Sequence, residues 1–391
     1  MPVHKEFDLI IVGAGLAGAS LAAALRSSRL KIAVVESQPP AAAHGWDQRI
    51  YAISPTNADF LSDIGAWQHL DTARLCPVYD MKIFGDAGGE LDFSAYDCGL
   101  RELAWIVESG LMQRELWETI KRQHNLTLLC PARPTALATD DAAATLTLDD
   151  GRVLTAKLIV AADGARSWVR EAAGIDARIT PYEEKGVVAN FRCEHPHRNT
   201  AYQWFREDGI LAYLPLPEQM ISIVWSTPND HADALAALDA DALCERVAAA
   251  GHHQLGRLEA VTPAAAFPLR LMRIAEPVAP RVALIGDAAH AIHPLSGHGI
   301  NLGYQDAKAL ADLLAPLPAW RDPGEAALLA AYARARAEET TLLQSTTHAL
   351  NRLFKPDNGL LSGLRNLGLN LTNRLPVIRN TLVRYAVSGH F

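Results

Sequence analysis

The chain has 391 residues, of which 49% are hydrophobic and 20% are charged, and its formal net charge is −8 at pH 7. Because this length exceeds what one ordinary hydrophobic core accommodates, we expect two domains. The composition is that of a folded globular protein and excludes intrinsic disorder. The negative charge disfavours nucleic acid as a partner, since general affinity for phosphate backbones comes from clustered Lys and Arg.

The cysteines indicate a reducing compartment. They are odd in number, scattered along the chain and without a C-x-x-C pair: Cys76, Cys98, Cys130, Cys193 and Cys244. We therefore expect no disulfide framework, no zinc site and no iron–sulfur cluster, and a cytoplasmic protein. The apolar run at residues 9–12 is too short for the core of a signal peptide, and no run of eighteen apolar residues predicts a membrane span.

The first motif predicts a nucleotide site near the N-terminus. Residues 8–12 read D-L-I-I-V, which is typical of a strand buried on both faces in a parallel sheet. Helix formers at residues 19–25 and a second apolar strand at residues 31–35, ending at Glu36, complete the pattern around three glycines, Gly13, Gly15 and Gly18. This is the pattern of a dinucleotide-binding βαβ unit.

Each part of this βαβ unit has an expected task. The glycines let the backbone approach a pyrophosphate at the positive end of the helix, and Glu36 accepts hydrogen bonds from a ribose. The pattern leaves NAD and FAD open as ligands. The alternative interpretation is that the glycines only relieve crowding between the helix and the strands.

A second motif begins at residues 281–287, R-V-A-L-I-G-D, a predicted strand that runs into Gly286 and Asp287. Residues 288–306 continue as A-A-H-A-I-H-P-L-S-G-H-G-I-N-L-G-Y-Q-D. Here Gly297 and Gly299 would let backbone N–H groups approach a ligand, and Asn301 opens a predicted amphipathic helix at residues 302–314. The N-terminus of that helix favours an anionic reduced isoalloxazine, and Asp287 is expected to hold the ribityl hydroxyls.

A third motif makes a family resemblance specific. Residues 158–170 read L-I-V-A-A-D-G-A-R-S-W-V-R, a predicted strand followed by a turn at Asp163 and Gly164. In order and spacing, the three motifs resemble the class A flavoprotein monooxygenases, typified by para-hydroxybenzoate hydroxylase, over nearly the whole chain. The resemblance implies that the first motif holds the ADP moiety of FAD, that the D-G motif serves FAD and the nicotinamide coenzyme, and that the G-D motif faces the flavin.

Two further segments resemble the ubiquinone-biosynthesis hydroxylases within that group. Residues 47–55, D-Q-R-I-Y-A-I-S-P, are similar to the segment that carries an arginine, here Arg49, near the flavin, and residues 202–228 resemble the substrate-domain hairpin. The sequence departs from the family at His298, where Gln is usual, and at Ile210, where Pro is common. The first departure leaves the flavin contacts of that loop open.

The same resemblance assigns two more positions. Gln113, on a predicted helix at residues 111–121, matches a position that contacts the flavin chain in relatives, and the alternative is a plain surface helix. The backbone of Pro294 is expected to face the substrate. No side chain is assigned as a general base. His290, His293 and His298 lie within nine residues, but the intervening Pro and Gly impose no shared face, so we predict no metal site.

The resemblance implies the reaction. FAD is reduced by NADH or NADPH, the reduced flavin reacts with O2 to a hydroperoxide, and one oxygen atom is transferred to the phenolic ring of a polyprenylated ubiquinone precursor. Four aromatic residues of the predicted substrate domain have two possible roles: Tyr202, Trp204, Tyr213 and Trp225. They line a substrate pocket, or they belong to an ordinary hydrophobic core. Core is the more frequent role for aromatic residues at a period of two on strands.

The expected fold class is α/β, with a discontinuous Rossmann-like FAD-binding domain, an antiparallel-sheet substrate domain covered by a helix at residues 239–250, and a C-terminal helical segment. The FAD-binding domain is expected at residues 1–75, 100–180 and 270–345. The substrate domain is expected at residues 76–99 and 181–269, and the C-terminal helical tail at residues 346–391.

The end of the chain differs from the rest in charge. Residues 351–391 contain six basic residues and one acid on an apolar background. This pattern favours contact with the inner face of an anionic membrane or with a partner protein, such as a ubiquinone-biosynthesis complex. The alternative is a helix packed on the FAD-binding domain with solvated arginines.

Competing functions remain at this point. One is an FAD-dependent reductase, or a hydroxylase of another aromatic compound, on the same scaffold; a halogenase is disfavoured because the chain has no W-x-W-x-I-P sequence. Another is a prenyl-binding carrier without turnover, which the intact glycine motifs disfavour. The sequence leaves open the ring position, the choice of NADH or NADPH and the oligomeric state.

Overall fold

A computed structural model describes residues 4–42, 45–86, 88–293 and 299–353. Residues 294–298 of the second motif, among them Pro294, Gly297 and His298, lie outside the described residues, as does most of the predicted C-terminal segment, residues 354–391. No helix in the described part of the chain is both long enough and apolar enough to cross a membrane.

The secondary structure alternates between strands and helices at both ends of the described chain and is strand-rich between them. The strands are β1 (His4–Val12), β2 (Ile32–Val35), β3 (Ile50–Ile53), β4 (Cys76–Val78), β5 (Asp80–Phe84), β6 (Glu90–Ser94), β7 (Ala104–Glu108), β8 (Leu126–Leu129), β9 (Pro134–Thr139), β10 (Ala144–Leu148), β11 (Val153–Ala161), β12 (Arg178–Cys193), β13 (Thr200–Arg206), β14 (Gly209–Leu216), β15 (Met220–Pro228), β16 (Leu258–Ala260), β17 (Ala265–Arg273), β18 (Val278–Ala279) and β19 (Val282–Leu284). The α-helices are α1 (Leu16–Ala24), α2 (Pro55–Asp63), α3 (Ala95–Cys98), α4 (Ser109–Lys121), α5 (Trp168–Ala172), α6 (Asn229–Ala236), α7 (Ala240–Ala250), α8 (Gly299–Leu314) and α9 (Ala326–Leu353).

The first sheet has the strand order β18-β19-β11-β1-β2-β8, and β19, β11, β1, β2 and β8 are mutually parallel. β1 is apolar at every position from Leu9 to Val12 because both of its faces are covered. Leu9 and Ile11 lie in a core with α1, α4 and α8, and Ile10 and Val12 lie in a second core beneath β9 and β10. The Rossmann-like arrangement predicted from these apolar runs is confirmed.

The second sheet has the order β16-β12-β15-β14-β13-β5-β6, and β17 also pairs with β12. Its pairs are antiparallel except for β13 with β5, which is parallel. One face packs against α6 and α7 around a core of alternating apolar side chains. The predicted antiparallel sheet with a covering helix is therefore confirmed, and α7 starts one residue later than expected.

The four aromatic residues of the second sheet belong to this core. Tyr202, Trp204, Tyr213 and Trp225 are all buried on the face that packs against the helices. Since successive side chains on a strand alternate between faces, their spacing places all four on one side. The interpretation of these residues as a pocket lining is wrong, and the alternative, ordinary core, is correct.

A small third sheet, with the order β3-β7-β4, lies against the other face of the second sheet. Ile50 and Ile106 of the third sheet share a buried cluster with Leu216 and Met220 of the second. This contact fixes the segment around Arg49, which immediately precedes β3, between the first and second sheets.

Candidate active site

Three turns meet at one edge of the first sheet. Val12 on β1 is paired with Ala161 on β11, and Ala161 is paired with Leu284 on β19. Because these strands are parallel and in register, the turns that follow them start side by side. In open α/β sheets ligands bind at the carboxyl ends of the strands, which is the edge where all three predicted motifs lie.

The first turn is a tight crossing made possible by glycine. Gly13 has φ +101°, and a Cβ atom there would lie 2.3 Å from the carbonyl oxygen of Ala162. A Cβ atom on Gly18 would lie 2.1 Å from the oxygen of Gly13. Gly15 is different, because nothing lies within 4 Å of its Cβ position and no side chain caps the N-terminus of α1. The open space at Gly15 is the cradle that a pyrophosphate requires.

Glu36 is held beside this turn. Its Oε2 accepts a hydrogen bond from the backbone N of Ala14 at 2.7 Å, and its Oε1 accepts from Ser37 Oγ and the backbone N of Gln38, each at 3.0 Å. A carboxylate can accept about four hydrogen bonds, so the half-buried Glu36 retains capacity for a hydroxyl donor such as a ribose.

Asp163 has a buried oxygen atom without a protein partner. Its Oδ2 accepts from the backbone N of Val169 at 3.1 Å, but no partner for Oδ1 lies among the residues that the structure describes. Burial raises the pKa of Asp163. Gly164, with φ +84°, completes the turn beside Gly13. Because buried polar atoms normally have partners, Asp163 Oδ1 is an acceptor available to a bound ligand.

The third turn places an acid in a cleft. Gly286 has φ +60°, and a Cβ there would lie 3.1 Å from the Cβ of Ala17 on α1. Asp287 is exposed to solvent, yet desolvation by the surrounding protein raises its pKa. The positive charges of His290, Arg49 and Arg270 act in the opposite direction and lower it. Both observations fit a carboxyl in a cleft that is open to solvent but walled by protein. Its oxygen atoms are accessible to hydroxyl donors.

Arg49 is positioned by a neighbouring acid. Asp47 Oδ1 accepts from the backbone N of Arg49 at 2.9 Å, and Asp47 Oδ2 accepts from the backbone N of Gly110 at 2.8 Å. This bridge attaches the Arg49 segment to the N-terminus of α4. Gln113 lies one turn further along α4 and is half-buried. The structure thus brings Arg49 close to the helix that carries Gln113.

The side chain of Asn301 contacts protein. Its Oδ1 accepts from the backbone N of Ser54 and from Asn57 Nδ2, both at 2.9 Å, and its Nδ2 donates to the carbonyl oxygen of Ala52 at 2.8 Å. Asn301 therefore joins the first turn of α8 to the end of β3. α8 begins at Gly299, earlier than the predicted start at residue 302.

The sequence does not reveal the buried charged network that lies behind the third turn. Asp306 on α8 accepts from the backbone N of Gly286 at 2.9 Å, from His290 Nε2 at 2.6 Å and from Arg336 Nε on α9 at 2.7 Å. Arg336 also binds Glu339 at 2.6 Å. The only sequence signal was an acid within the apolar side of a predicted helix, a position that requires a buried partner.

The network shifts the pKa values of its members. Burial alone would lower the pKa of His290, but the carboxylates of Asp306 and Asp287 outweigh burial and raise it. Burial alone would raise the pKa of Asp306, but His290 and Arg336 outweigh burial and lower it.

A cavity of about 890 Å³ borders the network between α9 and residues 274–281, and Gly13, Asp163 and Asp287 do not line it. It is therefore distinct from the candidate site.

The second sheet reaches the candidate site through Asn190, whose Nδ2 donates to the backbone oxygen of Asp47, two residues before Arg49. We call its face opposite α6 and α7 the roof, defined by Asn190, Ala212, Leu214, Ser222 and Val224, which alternate with the residues of the helix-side core. Ala212, Leu214 and Val224 lie mid-sheet and are nevertheless partly exposed. Partial exposure in the middle of a sheet means that these apolar side chains are not fully covered by the elements packed on this face.

These features match the parts of FAD. The cradle at Gly15 suits the pyrophosphate, the carboxyls of Glu36 and Asp287 suit hydroxyl donors, and the unpartnered Asp163 Oδ1 suits a further donor. The apolar roof suits an aromatic ring. Predicted contacts at Pro294 and Gly297 lie outside the described residues.

Comparison with known proteins identifies the family. Residues 6–345 match the family described as FAD binding domain. The chain is 35% identical to the ubiquinone hydroxylase UbiL of Rhodospirillum rubrum, over 98% of this chain and 90% of that protein. It is 33% identical to the 3-demethoxyubiquinol 3-hydroxylase of Escherichia coli, over 98% of this chain and 99% of that protein. The crystal structure of the p-nitrophenol 4-monooxygenase PnpA of Pseudomonas putida is similar in fold, with a TM-score of 0.80 at 17% identity over 99% of this chain and 100% of that chain.

The predicted resemblance to the flavoprotein hydroxylases of ubiquinone biosynthesis is confirmed by these matches. The motifs that carried the resemblance lie within the matched residues, and the three turns they form meet at one edge of the first sheet. FAD is the cofactor that the family binds. The chain belongs to the FAD binding domain family and is a flavin-dependent monooxygenase.

Proposed function

We propose that this protein hydroxylates the phenolic ring of a polyprenylated ubiquinone precursor, using O2 and either NADH or NADPH. The names of the relatives, a ubiquinone hydroxylase and a 3-demethoxyubiquinol 3-hydroxylase, support this substrate class. The observation that carries the proposal is that the partly exposed apolar roof lies on the face of the second sheet that carries Asn190, which bonds the Arg49 segment of the candidate site. A prenylated aromatic ring needs an apolar surface next to the flavin.

The chain's own residues would bind and orient the cofactor. Gly13, Gly15 and Gly18 admit the pyrophosphate to the N-terminus of α1, Glu36 accepts from the ribose, and Asp287 accepts from the ribityl hydroxyls. Arg49, Gln113, Asp163, Gly164 and the first turn of α8, with Gly299 and Asn301, complete the proposed set. Bound FAD would supply the redox chemistry that amino acid side chains lack, namely acceptance of electrons from the nicotinamide and activation of O2.

The roof would exclude water and orient the substrate ring. Exclusion of water strengthens the electrostatic interactions within the site and protects reactive species from hydrolysis. We assign no general base, and the electron-rich phenol itself favours transfer of oxygen to the ring. In this proposal the first sheet belongs to an FAD-binding domain at residues 1–75, 100–180 and 270–345, and the second to a substrate domain at residues 76–99 and 181–269.

We also propose that the basic segment at residues 351–391 brings the protein to an anionic membrane surface, where a polyprenylated substrate resides. Six basic residues against one acid support this, since each such residue near an anionic surface contributes about 1 kcal/mol. The test is co-sedimentation of the full chain with vesicles. Binding to anionic but not neutral vesicles, lost at high salt, is expected, and equal behaviour with both would reject membrane contact.

An absorbance experiment tests the proposed reaction. The purified protein is expected to show flavin bands that bleach on anaerobic addition of NADH or NADPH. Admission of O2 in the presence of a short-chain polyprenyl phenol is expected to restore the bands and yield a hydroxylated phenol by mass spectrometry. Bleaching without hydroxylated product would favour a reductase, and a colourless protein that binds the phenol would favour a carrier.

A further inference from the structure

A large apolar side chain, Phe267 on β17, is 39% exposed at one end of the roof. Phe267 is paired with Gly186 on β12, and a Cβ atom on Gly186 would lie 3.1 Å from the Phe267 ring. Gly186 and Asn190 are four residues apart in a regular part of the same strand, so their side-chain positions share a face. The ring of Phe267 therefore lies on the roof face of the second sheet.

The exposed ring continues into the partly exposed middle of the roof. Two residues before Phe267, Ala265 is paired with Val188, Val188 is paired with Val224, and Val224 is paired with Ala212. Paired side chains project from the same face, and Ala265, Val224 and Ala212 are all only half-buried. We call Phe267, Ala265, Val224 and Ala212 the apolar strip. A contiguous apolar surface that is open to water is typical of a contact site.

Helix α9 runs along the paired strands β12 and β17 toward this strip. Successive turns of α9 contact successive positions of the two strands: Gln344 Nε2 donates to the carbonyl oxygen of Met272 at 2.7 Å, His348 Nδ1 lies 3.3 Å from the Tyr182 hydroxyl, and Asn351 Nδ2 donates to Glu184 Oε2 at 3.4 Å. Glu184 lies two residues before Gly186, about 7 Å along β12. Because α9 ends at Leu353, the chain leaves the described residues next to the Phe267 end of the strip.

The segment that follows α9 has the composition that such a surface requires. Residues 354–391 contain eight leucines, five basic residues and one acid. Exposed acids flank the end of the strip, with Glu183 on β12 and Asp230 in the first turn of α6. The two elements are joined there, because Asn229 Nδ2 donates to Glu183 Oε2 at 3.4 Å. The segment therefore matches its surroundings both in apolar character and in charge.

We propose that residues 354–391 dock on the apolar strip. Their leucines cover Phe267 and the neighbouring half-buried roof residues, and their basic residues face the flanking acids and the solvent. The inference rests on the proposed function in one respect, since a roof that orients a substrate ring must be shielded from water and the strip by itself is open to water. The docked segment closes this end of the roof and keeps basic residues available to an anionic membrane.

Photo-crosslinking of the full, FAD-loaded chain tests the contact in the absence of lipid and substrate. Phe267→p-benzoylphenylalanine keeps a large aromatic side chain at this position, and irradiation links it to the groups that touch it. We expect crosslinks within one chain to peptides from residues 354–391, with a yield that does not change on dilution. The matched control is Tyr96→p-benzoylphenylalanine, because Tyr96 is 90% exposed and lies on α3 beside β6, at the opposite edge of the second sheet. It should give no crosslink to these peptides.

Three results would overturn the proposal. The first is the absence of any crosslink from position 267 to residues 354–391. The second is a crosslink between two chains that decreases on dilution, which would assign the apolar strip to a second copy of this chain. The third, in a sample with added short-chain prenylated phenol, is a crosslink to the phenol where none to the segment forms without it, which would assign the strip to the prenyl chain.

Limited digestion with trypsin gives a second readout. Phe267→Ala removes part of the apolar contact, so cleavage after Arg365 and Arg374 should become about threefold to tenfold faster, the effect of losing part of the burial of one Phe side chain. Tyr96→Ala should be cleaved at the wild-type rate. Full flavin loading and an unchanged urea midpoint of Phe267→Ala would show that the faster cleavage does not come from unfolding. Equal rates in the wild type and Phe267→Ala would contradict docking.

These outcomes are separate from those of the proposed function, because neither readout depends on turnover. If the wild type hydroxylates the phenol but position 267 gives no crosslink to residues 354–391, the inference fails alone. If the crosslink forms but the flavin bleaches without hydroxylated product, the proposed function fails and the docking contact stands.

Discussion

Gly13 and Ala162 are in contact only because Gly13 has no side chain: a Cβ atom on Gly13 would lie 2.3 Å from the carbonyl oxygen of Ala162. The contact joins the turn after β1 to the turn after β11, so two motifs far apart in the sequence form one surface. At that surface Gly15 leaves open space, whereas Gly18 is packed against Gly13. The glycines of one motif therefore have different tasks, and mutations can separate them.

The first prediction separates packing from cofactor binding. Gly18→Ala places a Cβ atom 2.1 Å from the oxygen of Gly13 and should reduce the free energy of unfolding by about 3 kcal/mol, since rigid backbone must move. Gly15→Ala meets nothing within 4 Å and has φ −67°, so it should cost less than about 1 kcal/mol. Gly15→Ala should nevertheless lose most of its FAD, because the new methyl group occupies the cradle. The measurements are urea denaturation and the ratio of flavin to protein absorbance; a stable, fully yellow Gly15→Ala protein would contradict the assignment of the cradle.

The second prediction concerns Asp287. Asp287→Asn should weaken FAD binding at least about tenfold, because hydrogen bonds to a charged acceptor are worth more than those to an amide. The dissociation constant is measured by the quenching of FAD fluorescence on reconstitution of the apoprotein. The control is Asp63→Asn, an equivalent change at an exposed position on α2. Equal affinities for FAD in the wild type, Asp287→Asn and Asp63→Asn would mean that Asp287 does not contribute to FAD binding.

The third prediction is a pH dependence of stability. The pKa of His290 is raised above 6.5, so its charged form stabilises the fold fully below pH 6.5, and this stabilisation is lost as the pH rises through the raised pKa. The pKa of Asp306 is lowered below 3.8, so its contribution is present above pH 3.8 and is lost only as the pH falls through the lowered value. The network should therefore contribute most between pH 3.8 and 6.5.

Chemical denaturation of the apoprotein between pH 5.5 and 9 checks the His290 part. The wild type should lose stability on the alkaline side more steeply than His290→Gln, which keeps a neutral donor to Asp306 but does not titrate. His69→Gln, a change at an exposed histidine, should follow the wild type. Parallel curves for the wild type and His290→Gln would show that His290 does not carry a raised pKa.

The fourth prediction tests the aromatic core. Tyr213 is buried, and its hydroxyl donates to the carbonyl oxygen of Val247 on α7 at 2.6 Å. Tyr213→Phe should reduce the free energy of unfolding by about 1 kcal/mol through loss of this bond. It should leave the dissociation constants of FAD and of the prenylated phenol unchanged, because the side chain lies on the face opposite the roof. Weaker phenol binding at full flavin loading would mean that Tyr213 lines the substrate pocket after all.

The buried strands β1, β2, β11 and β19 of the first sheet, and the three turns of the site, could be predicted from the sequence. The run D-L-I-I-V, the spacing of Gly13, Gly15 and Gly18 and the acids Glu36 and Asp287 are local patterns, and local patterns of burial, chain reversal and helix formation are readable from neighbouring residues. The parallel pair of β1 and β11 agrees with the predicted Rossmann-like class, because strands buried on both faces are typical of parallel sheets.

Which side chains meet across different elements became clear only from the fold. It placed Trp225 against helices and Val224 on the opposite face of the sheet, because the sequence shows that side chains alternate but not which face is covered. It also joined His290 to Arg336 through Asp306. These contacts connect residues from different elements, and their energies come from burial and hydrogen bonding in three dimensions, which no periodicity along one chain records.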